Sequence, residues 1–307
     1  MVELLVVIAV IGILSSVVIL NLGSMKQKAN IARGKTFSAS IHQKAGIDCL
    51  GAWDFDEGSG SVAKDASGFG NDGTISGAAF AQETPEGNNI SGHYGLQFNS
   101  GNYINMGNPE SLKTINELTV EAWAKFSGID YTQSTGKLVA IAAKGAPDSA
   151  GPNSGWWFTY DNRNNRNNFA YACFGNSNGG WAGGGNNFSA YSYNFNNGIW
   201  YHLAITANSS EARLYINGNQ IGAPKTLSNV VLSNSTNNFY VGAYGGGSAT
   251  FQGTMDAVRV YGQSLSSSQI RGRYLAGLEK LQASGQIPNN KYHKKISEMN
   301  GDYAISK

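Results

Sequence analysis

The chain has 307 residues, 41% of them apolar and only 14% charged, with 40 glycines and a formal net charge of +2. That length buries a full core and that apolar share excludes a wholly disordered chain, while so small a net charge excludes a wholesale polyanion binder, so no nucleic-acid partner is expected. Two cysteines, Cys49 and Cys173, match no zinc or Cys-x-x-Cys spacing, which excludes a cysteine-built metal cluster.

The small total conceals a partition. Residues 1–50 carry five Lys/Arg against two acids, 51–263 ten against fifteen, and 264–307 seven against three, giving +3, −5 and +4. Three segments are therefore expected: a basic-flanked N-terminal stretch over 1–50, a mildly acidic body over 51–263, and a basic tail over 264–307.

From Leu4 to Leu14 every residue is apolar or glycine, and after Ser15 and Ser16 the run resumes through Leu20. A helix of this run spans roughly 26 Å at about 1.5 Å per residue, near the lower limit for crossing a bilayer. A cleaved secretory signal needs a positive n-region and a small-x-small site; only Met1, Val2 and Glu3 precede the run, and no Ala-x-Ala follows it. Beyond it Ile31, Phe37, Ile41 and Ala45 continue an amphipathic helical pattern among Lys26, Lys28, Arg33, Lys35 and Lys44. Gly12, Gly23 and Gly34, each eleven residues apart, either form one close-packing face or mark a break at Gly23.

The stretch Met1-Val-Glu-Leu-Leu-Val-Val-Ile-Ala-Val-Ile-Gly-Ile-Leu14 resembles the N-terminal motif of type IV pilins and pseudopilins. The resemblance implies a membrane-anchored precursor, processed and N-methylated by a prepilin peptidase, and then a filament of copies of the chain. The implied assembly residues are Glu3, Leu4, Leu5, Val6, Val7, Ile8, Ile11, Gly12, Ile13 and Leu14. Glu3 matches the glutamate that in that family pairs with the N-terminal amine of a neighbouring subunit. The family's usual mature start, an aromatic residue followed by Ser or Thr, would lie two residues before Met1.

Short apolar-aromatic runs fill the body: Leu96-Phe98, Leu118-Phe126, Leu138-Ala143, Trp156-Tyr160, Phe169-Phe174, Trp200-Ala207, Ala212-Ile216, Phe239-Ala243 and Met255-Tyr261. Within Leu118-Phe126, Leu118, Val120, Ala122, Ala124 and Phe126 fall on one face and Thr119, Glu121, Trp123 and Lys125 on the other, the period of a strand. Asn217-Gly218 between apolar residues is a hairpin turn. With no long amphipathic helix between strands, an antiparallel sandwich is expected. The fold class expected for the whole chain is α+β: a long N-terminal pilin-type helix, an antiparallel β-sandwich (jelly roll), a short C-terminal helix and a basic tail.

The runs Ala52-Trp-Asp-Phe-Asp-Glu-Gly-Ser-Gly60, Asp65-Ala-Ser-Gly-Phe-Gly-Asn-Asp-Gly73, Leu118-Thr-Val-Glu-Ala-Trp123, Trp200-Tyr-His-Leu203, Leu214-Tyr-Ile-Asn-Gly218 and Gly253-Thr-Met-Asp-Ala-Val-Arg-Val-Tyr261, in this order, resemble the laminin-G-like, concanavalin A-like jelly rolls. The resemblance covers about 50–275. It implies a structural calcium near the Asp65 loop, with Asp65, Asn71, Asp72 and Asp256 as ligands; from spacing alone, which is not that of an EF-hand loop, the same residues form a cluster of Asx turns.

The paired carboxylates of a glycosidase are missing, since Glu117 and Glu121 stand four apart with no Asp between, and His93 and His202 lack a nucleophile context. No enzyme is expected, and His202 reads as a buried structural histidine. The Asn- and aromatic-rich stretch 153–197 suits a glycan surface built on Trp156, Trp157, Trp181 and Tyr191, or else rings of the core and its edges. An extracytoplasmic location would permit a disulfide between Cys49 and Cys173. The tail opens with a helix capped by Ser266, with Ile270, Tyr274, Leu278 and Leu281 on one face.

The functional expectation is a pilin-like subunit of an extracellular filament, held in the cytoplasmic membrane before assembly and displaying the sandwich for adhesion. Its partners are further copies, the assembly machinery and surface glycans. The alternatives are a membrane-anchored lectin and a minor pilin or secretion pseudopilin.

Overall fold

A computed structural model describes residues 49–85, 87–88, 92–113, 115–129, 138–145, 155–161, 169–174, 191–227, 236–283 and 287–296. Two antiparallel sheets face each other. The first runs Asn219–Gln220, Glu211–Ile216, Trp200–Ala207, Leu118–Phe126, Gly253–Tyr261, Gly95–Phe98, Ala79–Ala81. Cys49–Trp53 also pairs with Gly253–Tyr261, bringing Cys49 opposite Tyr261, and Lys225–Thr226 pairs with Glu211–Ile216. The second runs Tyr191–Ser192, Phe169–Phe174, Trp156–Asp161, Leu138–Lys144, Phe239–Val241, Tyr103–Asn105, Gly73–Ser76, Val62–Ala63.

Alternation decides which side chains fill the space between the sheets. Leu118, Val120, Ala122, Ala124 and Phe126 point inward from the first sheet and meet Trp156, Phe158, Tyr160, Phe239 and Val241 of the second. The rings pack edge to face or tilted, as Trp53 on Phe239 at 5.7 Å and Phe98 on Phe251 at 5.8 Å. Asn217 and Gly218 both take positive φ, 51° and 77°, which is the turn that joins Glu211–Ile216 to Asn219–Gln220.

The helix Ser267–Ala283 lies on the outer face of the first sheet. It starts at a reciprocal cap: Gln269 N–H donates to Ser266 Oγ at 3.3 Å, while Gln269 Oε1 accepts the Ser266 N–H at 2.8 Å. Ile270, Tyr274, Leu278 and Leu281 are buried, as the apolar stripe requires. Gly277 meets the sheet so closely that a Cβ there would sit 2.4 Å from the Trp123 ring. A second short helix, 289–296, follows, with Tyr292 against the same cluster.

The expected α+β class with a long N-terminal helix is corrected: the described chain is a mostly β jelly roll with two short helices at its C-terminal end. The sequence from Cys49 onward has the strand period and glycine turns, and its helical period returns only after Ser266. No helix among the described residues is long and apolar enough to cross a membrane. The expected assembly residues, Glu3 through Leu14, lie outside the described residues. Beyond residue 264 the helix Ser267–Ala283 packs against Trp123 on the sandwich.

Candidate functional site

One sheet's outer face is covered by the C-terminal helix, and the other's carries half-buried tyrosine rings. On the second sheet, strand register places Thr74 beside Asn105, Asn105 beside Tyr240, Tyr240 beside Ala143 and Ala143 beside Trp157. These five side chains form one line across the outer face, about 19 Å long at roughly 4.8 Å per strand. Thr74 is exposed, Asn105 and Tyr240 are half-buried, and Ala143 is fully buried. Two further rings complete a row: Tyr103 meets Tyr240 edge to face at 5.8 Å and 76°, and Tyr244 lies flat on Trp157 at 5.6 Å and 2°.

The turn Gly245-Gly246-Gly247 borders this row. All three glycines take positive φ, and a Cβ on Gly247 would sit 3.5 Å from the Tyr103 ring. Ser76 and Asn105 frame the tyrosines with hydroxyl and amide groups, and Asn105 Oδ1 accepts the Gly107 N–H at 2.9 Å. The line contains no lysine or arginine. Flat apolar rings edged by neutral donors and acceptors suit a ligand with hydroxyl-bearing, partly apolar faces.

The aromatic residues expected from sequence distribute differently. Trp156 points inward, 0% exposed, against Phe239 at 5.5 Å; this corrects its expected role as a stacking surface. Trp157 faces outward but is 4% exposed, so it supports Tyr244 instead of presenting its own ring. Tyr191 begins a strand at the edge of the same sheet, its side chain outside the described residues, as is Trp181. Sequence reading missed Tyr103, Tyr240 and Tyr244. Their signal was parity: each of the first two alternates with a buried residue, and Tyr244 precedes three glycines.

Of the expected calcium ligands, Asp65, Asn71 and Asp72 are joined within one loop, the Asp65 N–H donating to Asp72 Oδ1 at 2.8 Å, while Asp256 stands on the strand Gly253–Tyr261. Asp65 Oδ1 accepts the Ala52 and Ser67 N–H groups at 2.9 Å each, and Oδ2 accepts Ser67 Oγ–H at 2.7 Å and the Asn71 N–H at 2.9 Å. Asn71 donates to Leu50 O at 2.6 Å and to Ser111 Oγ at 2.8 Å. Asp72 pairs with Lys64 at 2.6 Å, and that hydrogen bond holds its carboxyl below the ordinary value. Asp256 lies on the first sheet opposite Trp123 and accepts the Ala257 N–H at 2.6 Å. Among the described residues no three of His, Cys, Asp and Glu are placed to hold a metal ion, and the Asp65 carboxylate already accepts four protein donors.

Beneath the C-terminal helix lies a buried polar cluster. Arg273 donates to Glu121 Oε1 at 3.1 Å and to Tyr261 Oη at 2.5 Å, Tyr261 Oη–H donates to Glu121 Oε1 at 3.0 Å, and His202 Nε2 stands 3.5 Å from Glu121 Oε2. Burial alone would raise the Glu121 carboxyl, but Arg273, His202 and Arg259 hold it at about 2. Arg259 is bonded in turn to Asp54 and to Trp53 O. His202 is 2% exposed, packed on Trp123 at 5.3 Å, as a structural histidine should be. Glu117 accepts the Ser264 N–H at 2.9 Å, so the two carboxylates of this strand region hold the helix and its approach.

The expected disulfide is also corrected at one end. Cys49 is a free thiol on the first sheet, packed against Ala204, Tyr261 and Leu265, whereas the strand of Cys173 belongs to the second sheet. The Cys173 side chain lies outside the described residues.

A profile of the concanavalin A-like lectin/glucanases superfamily matches residues 98–271. No curated protein matches. Among solved structures, domain 4 of AbnA, a GH43 extracellular arabinanase from Geobacillus stearothermophilus in complex with arabinotriose, is 20% identical with a TM-score of 0.50, over 74% of this chain and 98% of that one. The binding domain of Paraclostridial Mosquitocidal Protein 1 is 15% identical with a TM-score of 0.53, over 75% and 52%. Trypanosoma rangeli sialidase in complex with 2,3-difluorosialic acid is 18% identical with a TM-score of 0.52, over 74% and 33%. The chain thus spans about half of the toxin domain and a third of the sialidase, and these likenesses are of fold.

Proposed function

The chain belongs to the concanavalin A-like lectin/glucanases superfamily, and on that premise we propose that its sandwich binds carbohydrate through the outer face of the second sheet. The observation that carries this reading is the register line Thr74, Asn105, Tyr240, Ala143, Trp157 with Tyr103 and Tyr244 beside it. The other sheet's outer face is closed by the helix. The absence of lysine and arginine from the line favours a neutral glycan, and its straightness favours an extended one. Titration calorimetry with neutral and acidic oligosaccharides tests this. Tyr240→Ala removes one stacking ring, about 1–1.4 kcal/mol, or up to roughly tenfold in Kd. Binding of acidic glycans only, or unchanged binding in the Tyr240→Ala and Tyr103→Ala variants, overturns it.

A second reading concerns how the sandwich is presented, and it rests on the sequence of residues 1–20. An apolar run interrupted only by serines and preceded by Glu3 supports self-assembly into a surface filament, with processing by a prepilin peptidase at the cytoplasmic membrane. Electron microscopy of surface filaments, with Glu3→Ala as comparison, tests it. Filaments lacking the chain, or assembling unchanged with Glu3→Ala, overturn this reading and leave glycan binding standing.

A further inference from the structure

Lys144 is the last residue of the strand Leu138–Lys144 and points into the sandwich, where it is 0% exposed. Lysines are almost never buried to this extent unless an anion pairs with them. Here the ammonium nitrogen meets two neutral oxygens, Asn108 Oδ1 at 2.5 Å and Asn237 O at 2.9 Å. No carboxylate among the described residues pairs with it, and the one charge that reaches it, from Lys113, has the same sign. Its cross-strand neighbours are Trp156 and Phe239, whose rings pack at 5.5 Å, and Trp156 Nε1 has no partner among the described residues. Among the described residues this wall is aromatic and offers no counter-ion. As a cation this group is badly placed; as an amide it would fit.

Asn108 is held with its two ends facing opposite ways. Its Oδ1 turns inward to Lys144, while its Nδ2 donates to Thr236 O at 3.1 Å at the exposed rim. The backbone fixes it there, with Phe239 N–H donating to Gly107 O at 2.7 Å and Gly107 N–H donating to Asn105 Oδ1 at 2.9 Å. We infer that the contact between Lys144 Nζ and the Asn108 carboxamide is the precursor of an intramolecular amide bond joining the two side chains.

The step balances without a co-reactant. The neutral amine attacks Asn108 Cγ, the Nζ–Cγ bond forms, the Cγ–Nδ2 bond breaks, and one amine proton leaves with Nδ2 as ammonia. Nδ2 already faces solvent, so the leaving group has an exit. Burial and the Lys113 charge lower the Lys144 ammonium to about 8, which leaves on the order of a tenth of the population as free amine at neutral pH. The product ties Leu138–Lys144 to the segment following Tyr103–Asn105 across the intervening strand Phe239–Val241. Such a bond resists reduction and involves neither cysteine.

Intact mass of the denatured full chain tests this, followed by peptide mapping. The expected result is a deficit of one ammonia and a branched peptide containing Asn108 and Lys144. Asn108→Asp reacts with loss of water instead, and its linked product has the same mass as the linked wild type. Lys144→Met shows its full sequence mass. A wild-type chain at full sequence mass, with Lys144 open to an amine-specific label after denaturation, overturns the proposal. So does a deficit that persists in Lys144→Met, which would place the lost ammonia at another asparagine.

Discussion

The Tyr244 ring covers the Trp157 indole, with planes 2° from parallel and centroids 5.6 Å apart, so Trp157 is buried while Tyr244 remains half-exposed. The two residues should therefore respond oppositely to truncation. Trp157→Ala removes a buried ring and is expected to cost about 3–5 kcal/mol of stability. Tyr244→Ala should cost about 1 kcal/mol while weakening glycan binding severalfold. Chemical denaturation alongside calorimetric titration separates the two effects.

The Glu121 cluster predicts how the helix responds to acid. The carboxyl is held at about 2 when folded against an ordinary value of 4.5, so it stabilises the fold fully above 4.5 and the contribution is lost as pH falls toward 2. Thermal melts from pH 7 to 2 should steepen in that window, and Glu121→Gln should flatten the slope. Arg273→Met strands the buried carboxylate and is expected to cost about 3–5 kcal/mol, with the double variant less damaged than the sum of the two.

Cys49 is half-buried, and burial pushes its thiol up to about 11. The thiolate is the reactive form, so native protein at pH 7–8 should label at Cys49 far more slowly than a free thiol, and unfolded protein at once. Mass spectrometry after alkylation reads this directly. Rapid native labelling would contradict the packing described for the first strand.

The Asp65 loop is closed by its own donors, four of them on one carboxylate. Chelator is accordingly expected to leave the melting temperature unchanged. Asp65→Ala leaves three backbone donors to find water, and should cost about 1–3 kcal/mol. A calcium-dependent rise in Tm that Asp65→Ala abolishes would reverse this reading.

Much of the sandwich was legible because its cue is local. The period of two in Leu118–Phe126 named the inward residues, and Asn217-Gly218 named the turn. The outer face of that strand was not legible: Thr119, Glu121 and Trp123 are buried because the C-terminal helix and the segment leading into it, some 150 residues later in the chain, lie over them. The binding face failed for a related reason. Parity alone requires neighbouring Trp156 and Trp157 to face opposite ways, so they were never one platform, but only register across four strands shows that Thr74 and Tyr240 share a line with Trp157. The free thiol and the filled Asp65 carboxylate likewise depend on partners far along the chain or on backbone donors that spacing does not count.

Because Cys49–Trp53 runs antiparallel against Gly253–Tyr261, with Cys49 opposite Tyr261, a pull applied at these two ends would load a single seam of backbone hydrogen bonds. Tension would pass from one strand to its neighbour and leave the remaining strands slack. The sandwich would ride such a load as a side-mounted shackle, keeping its tyrosine row undeformed until that seam parted.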